Sequence, residues 1–350
     1  MRILVNGNLG YIGPIVIRHF RAAFPDATII GFDSGFFKDC LIDKDRFPKT
    51  LPDKQFYGDV RKMPDEVLQN VDAIVQLAAI SNDPMGNAFQ KVTADINATA
   101  TLAVARRAQA AGVKAFVFAS SCSVYGAGGD DAKDETSPVD PLTAYAKSKI
   151  EAEKELETLA SGDFKVTCLR FATACGFSPR IRLDLVLNDF VASAIATGKI
   201  VILSDGTPWR PLIHVKDMAR AMEWGINRDV DRGGHYLVVN VGSNDWNYRV
   251  LELAKAVQEQ LENVEIVMSK NAASDKRSYR VDFGLFGKLA PSHLPKETLF
   301  SAIVDLAEGL QASGFADPEF RASRYIRLKV LTDLRTSGKL SEELFWKAAQ

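Results

Sequence analysis

Short apolar runs alternate with helical stretches along the first half of the chain. Runs at 3–6, 28–33, 55–58, 73–79, 115–121 and 165–171 have strand length and are bounded by turn residues. Between them, 14–23, 94–111 and 143–160 read as helices. Strands separated by helices predict βαβ units and a parallel sheet, which binds ligands at the carboxyl ends of its strands. After Phe171 the rhythm changes. A basic stretch, Ser178-Pro-Arg-Ile-Arg182, precedes an apolar helix at 185–197 and a strand at 200–203. The chain at 211–242 is expected to return to the first layer, with 236–241 as its last strand. A helix at 249–262 and a strand at 265–268 continue a smaller unit. The predicted division is 1–171, rejoined by about 211–242, then 172–210 with 243–320, then a helical tail at 321–350. The tail carries Leu328, Leu331, Leu334, Leu340 and Leu344 among charges and is expected to cover the body. Helix 94–111 is alanine-rich and apolar on more than one side, so it needs burial on two faces. One face would cover the sheet. The other would meet a partner subunit, giving a homodimer, or another part of the same chain.

Composition narrows the class without changing this layout. The 350 residues are 47% hydrophobic and 25% charged, ordinary for a globular protein with a large core. A net charge of −1 argues against nucleic acid as the main partner. No apolar run is long enough to span a bilayer. Cys40, Cys122, Cys168 and Cys175 have neither disulfide-framework nor zinc-site spacing, so no metal is expected. The first strand begins almost at Met1, leaving no room for a signal peptide, and a cytoplasmic protein is expected.

Gly7-Asn-Leu-Gly10-Tyr11-Ile12-Gly13 follows the first strand directly, with Pro14 in the first turn of the next helix. Glycines there permit a tight turn, close approach of backbone to a pyrophosphate and tight helix–strand packing, with helix amides facing the phosphates. Asp33 ends the second strand, where a carboxylate takes ribose hydroxyls and repels an added phosphate; this favours NAD over NADP. Asp59 and Val60 lie after the third strand, placed for adenine. Leu77-Ala78-Ala79 offers small side chains where the sheet edge passes the cofactor.

Tyr145 and Lys149 are four residues apart, so on a helix they share one face. A cation beside a phenol favours the phenolate. Moving a tyrosine from pH ~10 to ~7 requires roughly 4 kcal/mol, which the lysine and an oxidised nicotinamide ring would have to supply together. The result would be a proton acceptor suited to alcohol oxidation near neutrality. Ser121 ends the preceding apolar run.

Taken in order, these motifs resemble the extended short-chain dehydrogenase/reductase family, and within it the nucleotide-sugar epimerases and dehydratases. Further matching stretches are Gly58-Asp-Val60, Asn97 in Ile96-Asn-Ala-Thr-Ala-Thr-Leu102, Ser120-Ser-Cys-Ser-Val-Tyr-Gly126, Leu169-Arg170 and Arg210-Pro-Leu-Ile-His-Val-Lys-Asp217. The match runs from about residue 2 to about 309. It implies an α/β fold, a Rossmann-type doubly wound parallel sheet with a smaller C-terminal substrate-binding α/β domain. It implies NAD as cofactor and a nucleotide-diphosphate sugar as substrate. Ser121 would hydrogen-bond the reacting sugar oxygen and Tyr145 would take its proton. Lys149 would hold the nicotinamide ribose. Asn97 and Ser120 would complete the cofactor site. Ser81, Cys122, Ser123, Thr173, Asn188 and Arg210 would meet the substrate, Arg210 clasping its diphosphate.

Departures from the family pattern rank the reactions. The dehydratase branch has an acid pair after the active-site hydroxyl residue; here Cys122 and Ser123 follow Ser121. Epimerisation, at sugar C4 through a transient 4-keto sugar, is therefore placed ahead of 4,6-dehydration. A 4-keto-sugar reductase of the same architecture is the runner-up. An asparagine common after the Leu-Arg pair is absent, leaving Thr173 or Cys175 to serve. The phosphate arginine expected near 275–280 is out of register, and Arg277 or Arg280 is assigned to it. His214, in an apolar run, reads as structural. Trp209 would stack on a base or simply pack.

Overall fold

The computed structural model describes residues 1–42, 51–127, 129–269 and 278–347. In chain order the strands are β1 (Arg2–Asn6), β2 (Thr28–Asp33), β3 (Lys54–Tyr57), β4 (Ala73–Gln76), β5 (Ala115–Ser121), β6 (Ala132–Lys133) and β7 (Lys165–Phe171). They continue as β8 (Thr173–Cys175), β9 (Lys199–Ile202), β10 (Trp209–His214), β11 (Tyr236–Val241), β12 (Asn247–Arg249), β13 (Glu265–Met268) and β14 (Arg280–Val281). Seven of them form one sheet in the order β11-β7-β5-β4-β1-β2-β3, and every pairing in it is parallel. The order reverses between β1 and β4, which opens a crevice at their carboxyl ends. This is the doubly wound Rossmann-type sheet.

Apolar residues run almost without interruption along the central strands because helices cover both faces. Ile3 and Val5 of β1, with Val117 of β5, enter one buried cluster; Leu4, Phe116 and Phe118 enter the other. The chain returns to this sheet as expected, with β11 pairing on β7. The remaining strands are short: β10 pairs with β8 and β12, β9 with β13, and β6 with β14. Helices Val186–Thr197, Val250–Gln260 and Leu299–Ala312 pack around them. No helix among the described residues is long and apolar enough to cross a membrane.

Two elements differ from the pattern. β4 stops at Gln76 rather than at residue 79, because the N–H groups of Leu77 and Ala78 both turn to the Asn6 carbonyl (2.8 and 2.9 Å). The following residues then cross the backbone of Gly7, where a Cβ would lie 2.5 Å from Ala78 N. The helix predicted at 94–111 begins at Gln90 and contains a π-helical turn, Asp95–Ala100, before Thr101–Ala110. Leu331, Leu340 and Leu344 of the tail join the cluster that holds Val92 and Ile96, so the same chain covers this region. The tail is a cover as expected, but its helix is confined to Arg327–Thr336.

The helix that carries Tyr145, Ala144–Glu157, is held to the sheet by a buried ion pair. Arg170 of β7 meets Glu153 through three contacts of 2.7–3.2 Å, with side chains 9% and 4% exposed. Ser120 donates to the same carboxylate at 2.5 Å, and Arg170 donates to Tyr125 Oη at 3.1 Å. Removing one partner strands the other charge in a low dielectric, at a cost of about 3–5 kcal/mol. Glu153→Ala is therefore expected to lower the urea-unfolding free energy by about that amount. Asp333→Ala, which breaks the exposed pair with Lys329, should change it by less than about 1 kcal/mol. Equal effects from the two would contradict this account.

Candidate active site

A cavity of about 930 Å³ opens at the carboxyl ends of β1, β2, β4 and β5. Its walls include Gly7, Gly10, Tyr11, Ile12, Gly13, Asp33, Asp59, Val60, Leu77, Ala78 and Ala79 from the predicted cofactor set. Ser81, Ser120, Ser121, Ser123, Tyr145, Lys149, Thr173 and Arg210 also line it. Residues spread over half the chain are thus brought to one hollow.

At the cofactor end the glycines have distinct tasks. Gly7 has φ +88° and is crowded by Ala78; a Cβ on Gly13 would lie 2.3 Å from the Asn8 carbonyl oxygen. Gly10 faces more open space, its nearest neighbour being the Gly7 carbonyl at 3.3 Å. Helix Gly13–Ala23 has no side-chain cap and no acidic residue in its first turn. Its leading amides therefore remain available to an anion. Asp33 is fixed by N–H groups of Leu9 (2.9 Å) and Gly35 (2.7 Å), and burial pushes its carboxyl up from the usual range. Asp59 is gripped by Arg61, Nε to Oδ1 at 2.9 Å and Nη2 to Oδ2 at 2.6 Å. An uncapped helix start, a glycine that admits close approach and a fixed carboxylate at the end of β2 together fit a dinucleotide.

At the reaction end, Ser121 closes β5, and its hydroxyl acts on the Tyr145 phenol in the direction that favours the phenolate. Ser121 Oγ also accepts from Ser123 N–H (3.2 Å) and lies 2.9 Å from the Ser123 hydroxyl. Thr143 caps the tyrosine helix through Ala146 N–H at 3.1 Å and donates to Asp83 at 2.7 Å. Lys149 Nζ donates to the Ala119 carbonyl at 2.8 Å and stands 5.6 Å from the Tyr145 ring centroid.

Without the cofactor, the lysine alone does not acidify the phenol. Burial pushes Tyr145 up to about 12, with the Ser121 hydrogen bond and the Arg182 charge only partly opposing it. Burial also pushes Lys149 down to about 7. Desolvation penalises both charged forms, and at this separation it outweighs their attraction in the protein alone.

Three of the predicted residues stand off the cavity wall, and Cys122 takes the role of a small buried packing residue that its place after Ser121 also allows. Asn97 does not face the cavity: its side-chain oxygen accepts from Ile80 N–H (2.8 Å), and its amide nitrogen donates to Ile80 O and Ser148 Oγ (both 3.0 Å). It braces the loop after β4 against the tyrosine helix. Cys122 is wholly buried, its thiol directed at the Arg170 carbonyl (3.1 Å) and its pKa pushed far up by burial. Asn188 ties Gly176 N–H (3.1 Å), Tyr11 Oη (3.0 Å) and the Arg182 carbonyl (2.9 Å) together behind the wall. Arg277 lies outside the described residues. Arg280 stands over the Trp209 ring at 4.9 Å, opposite no cavity residue, and Arg249 lies 4.7 Å from the same ring, so Trp209 packs. His214 is buried, caps a helix through Lys216 N–H and meets Asp305, as a structural histidine does.

Several lining residues carried no usable sequence signal. Arg182 forks onto Asp184 (3.0 and 2.9 Å) and donates to Ser81 Oγ at 3.2 Å. Asp83, Tyr279, Arg321 and Arg327 also line the cavity. None of these sits in a motif that marks a ligand.

The family model for the NAD dependent epimerase/dehydratase family matches residues 3–242. The dTDP-D-glucose 4,6-dehydratase of Mus musculus is 25% identical over 288 residues, covering 81% of this chain and 77% of that protein. The UDP-glucose 4-epimerase of Bacillus subtilis is 24% identical, covering 74% and 81% respectively. The solved structure of MoeE5 in complex with UDP-glucose and NAD superposes with a TM-score of 0.74 at 25% identity, covering 89% of this chain and 99% of that one.

The depressed lysine makes stability depend on pH. Below about 7 both states of the cofactor-free protein hold the Lys149 proton. Between there and the unfolded value of ~10.4 the unfolded chain binds a proton that the folded one refuses, so unfolding free energy rises with pH. Urea midpoints at pH ~7 and ~10 should therefore increase more in wild type than in Lys149→Met. A larger rise in the variant would contradict the buried, neutral amine.

Proposed function

Because this chain belongs to the NAD dependent epimerase/dehydratase family, we propose that it is a nucleotide-sugar epimerase, acting at sugar C4 through a transient 4-keto sugar. The observation that carries this is the gathering of Ser121, Tyr145 and Lys149 on the cavity wall that the glycine loop shares. When bound, NAD supplies hydride removal from the sugar carbon and hydride return to it.

The chain's own residues handle the proton and the geometry. Ser121 orients the sugar hydroxyl toward Tyr145, and Tyr145 Oη accepts its proton. A phenol near 12 is protonated at neutral pH and a poor proton acceptor, and the positive charge of a bound oxidised cofactor would bring its pKa down. This favours proton removal only in the loaded site. Lys149, held by the Ala119 carbonyl, would hold the cofactor ribose and orient the nicotinamide toward the tyrosine. Arg210 of β10 supplies a guanidinium for the substrate diphosphate.

Dehydration at C6 needs an acid beside the reacting centre. The position after Ser121 holds only the buried Cys122 thiol, which supports epimerisation. One observation favours the alternative: the Asp83 carboxylate acts electrostatically on both Tyr145 and Tyr279.

With catalytic NAD and a panel of nucleotide sugars, the expected products are C4 epimers, with no net change in nicotinamide absorbance. A product lighter by one water would assign dehydration instead, and stoichiometric NADH or NADPH consumption by 4-keto sugars would assign reduction. Tyr145→Phe should reduce turnover by about 10²–10⁴-fold while NAD still binds; unchanged turnover would remove Tyr145 as the base.

A further inference from the structure

The segment 321–347 lies beyond the family match and yet spans the cofactor end of the cavity. On one rim, Arg321 forks onto Asp189 (2.9 and 2.7 Å), and the Tyr325 carbonyl accepts from Leu183 N–H at 3.1 Å. On the other, Trp346 Nε1 donates to the Ser34 carbonyl at 2.7 Å, next to Asp33. Arg61, which grips Asp59, lies 3.6 Å above the Phe345 ring and donates to the Glu343 carbonyl at 2.9 Å. One stretch of chain is thus fastened to both sides of the dinucleotide end.

Between the two fastenings stands Arg327. It lines the cavity, is 1% exposed, donates to the carbonyls of Arg180 (2.7 Å) and Arg324 (3.4 Å), and lies 4.8 Å from the Phe37 ring. Among the described residues no carboxylate lies within ion-pair distance of it. It also opens helix Arg327–Thr336, the end where a macrodipole disfavours a cation. Burial, with the charges of Arg182 and Arg180, outweighs the opposing influence of Cys40 and the Asp184 carboxylate and pushes its pKa down to about 10. Arg180 acts electrostatically on Asp33, and Arg182 on Tyr11 of the glycine loop. The three guanidiniums therefore adjoin the loop and the carboxylate of the dinucleotide site. Asp184, the carboxylate that acts on Arg327, is already forked by Arg182. A buried cation with no carboxylate in contact is costly, and a bound anion offsets that cost.

We propose that Arg327 binds the diphosphate of the dinucleotide, and that the 321–347 segment is a clasp that retains the cofactor. This rests on NAD as cofactor and is independent of which reaction the enzyme performs. A nucleotide sugar also carries a diphosphate; the position of Arg327 beside Phe37 and Arg180, on the Asp33 side, assigns it to the cofactor.

The test is calorimetric binding of NAD, ADP-ribose, adenosine and UDP to dinucleotide-stripped wild type, Arg327→Met and Arg327→Lys. Arg327→Met should weaken NAD and ADP-ribose roughly tenfold or more, with partial recovery in Arg327→Lys. Adenosine and UDP, which lack the dinucleotide diphosphate, should bind wild type and variant alike. Unchanged NAD affinity overturns the proposal, and so does a loss that falls equally on UDP or adenosine. Should Arg327→Met fail to fold, hydrogen exchange in wild type decides: NAD should slow amides in 321–347, and no slowing overturns the clasp.

Discussion

A single charged pair that never meets a ligand sets the geometry of the reaction centre. Glu153 lies one turn beyond Lys149, which lies one turn beyond Tyr145, so all three leave the helix on its sheet-facing side. Arg170 of β7 holds Glu153, and Ser120, the neighbour of Ser121, holds the same carboxylate. The pair therefore fixes β5, β7 and the helix to one another at the height where the serine and tyrosine hydroxyls meet. Apolar packing alone would tolerate small sliding of a helix over a sheet. Directional, buried, charge-assisted bonds do not.

Desolvation is the second theme. The same enclosure that orients Tyr145 and Lys149 makes either charge expensive, so the protein by itself holds a neutral phenol and a weakened ammonium. Positive charge arriving with the oxidised dinucleotide changes that balance locally, at the moment it is useful. The arginines near the cofactor end face the same enclosure: Arg327 is buried there with no carboxylate in contact among the described residues. A cavity with buried guanidiniums at one end and a proton acceptor awaiting a cation at the other suits a ligand that is anionic in its middle and cationic at one tip.

Much of the fold was legible because both faces of the main sheet are buried, which writes strand-length apolar runs into the sequence. β2, β5, β7, β11 and β13 begin and end where those runs do. β4 was overextended because Leu77-Ala-Ala79 continues the apolar run while its amides leave the ladder for Asn6. Motif residues on the loops of the sheet were found for the same reason that they work: short-range spacing fixes them at strand ends. The placing of Asn97, Asn188 and Cys122 was not legible, because a polar side chain near a site and one within it look identical in sequence. Here the first two complete backbone hydrogen bonds, and a π-helical turn re-aims Asn97 at Ile80. Arg327 and Arg182 stayed hidden because long-range packing alone brings them to the cavity.

All four cysteines are free and buried. Their thiols pack between strands and helices, and burial raises the pKa of each, which suppresses the reactive thiolate. The folded protein therefore offers thiol-directed dyes no exposed cysteine. A cysteine introduced at an outward position such as Leu203, 73% exposed on the cavity rim, would be the sole labelling point. The native background already suits single-fluorophore spectroscopy of the mouth of this cavity.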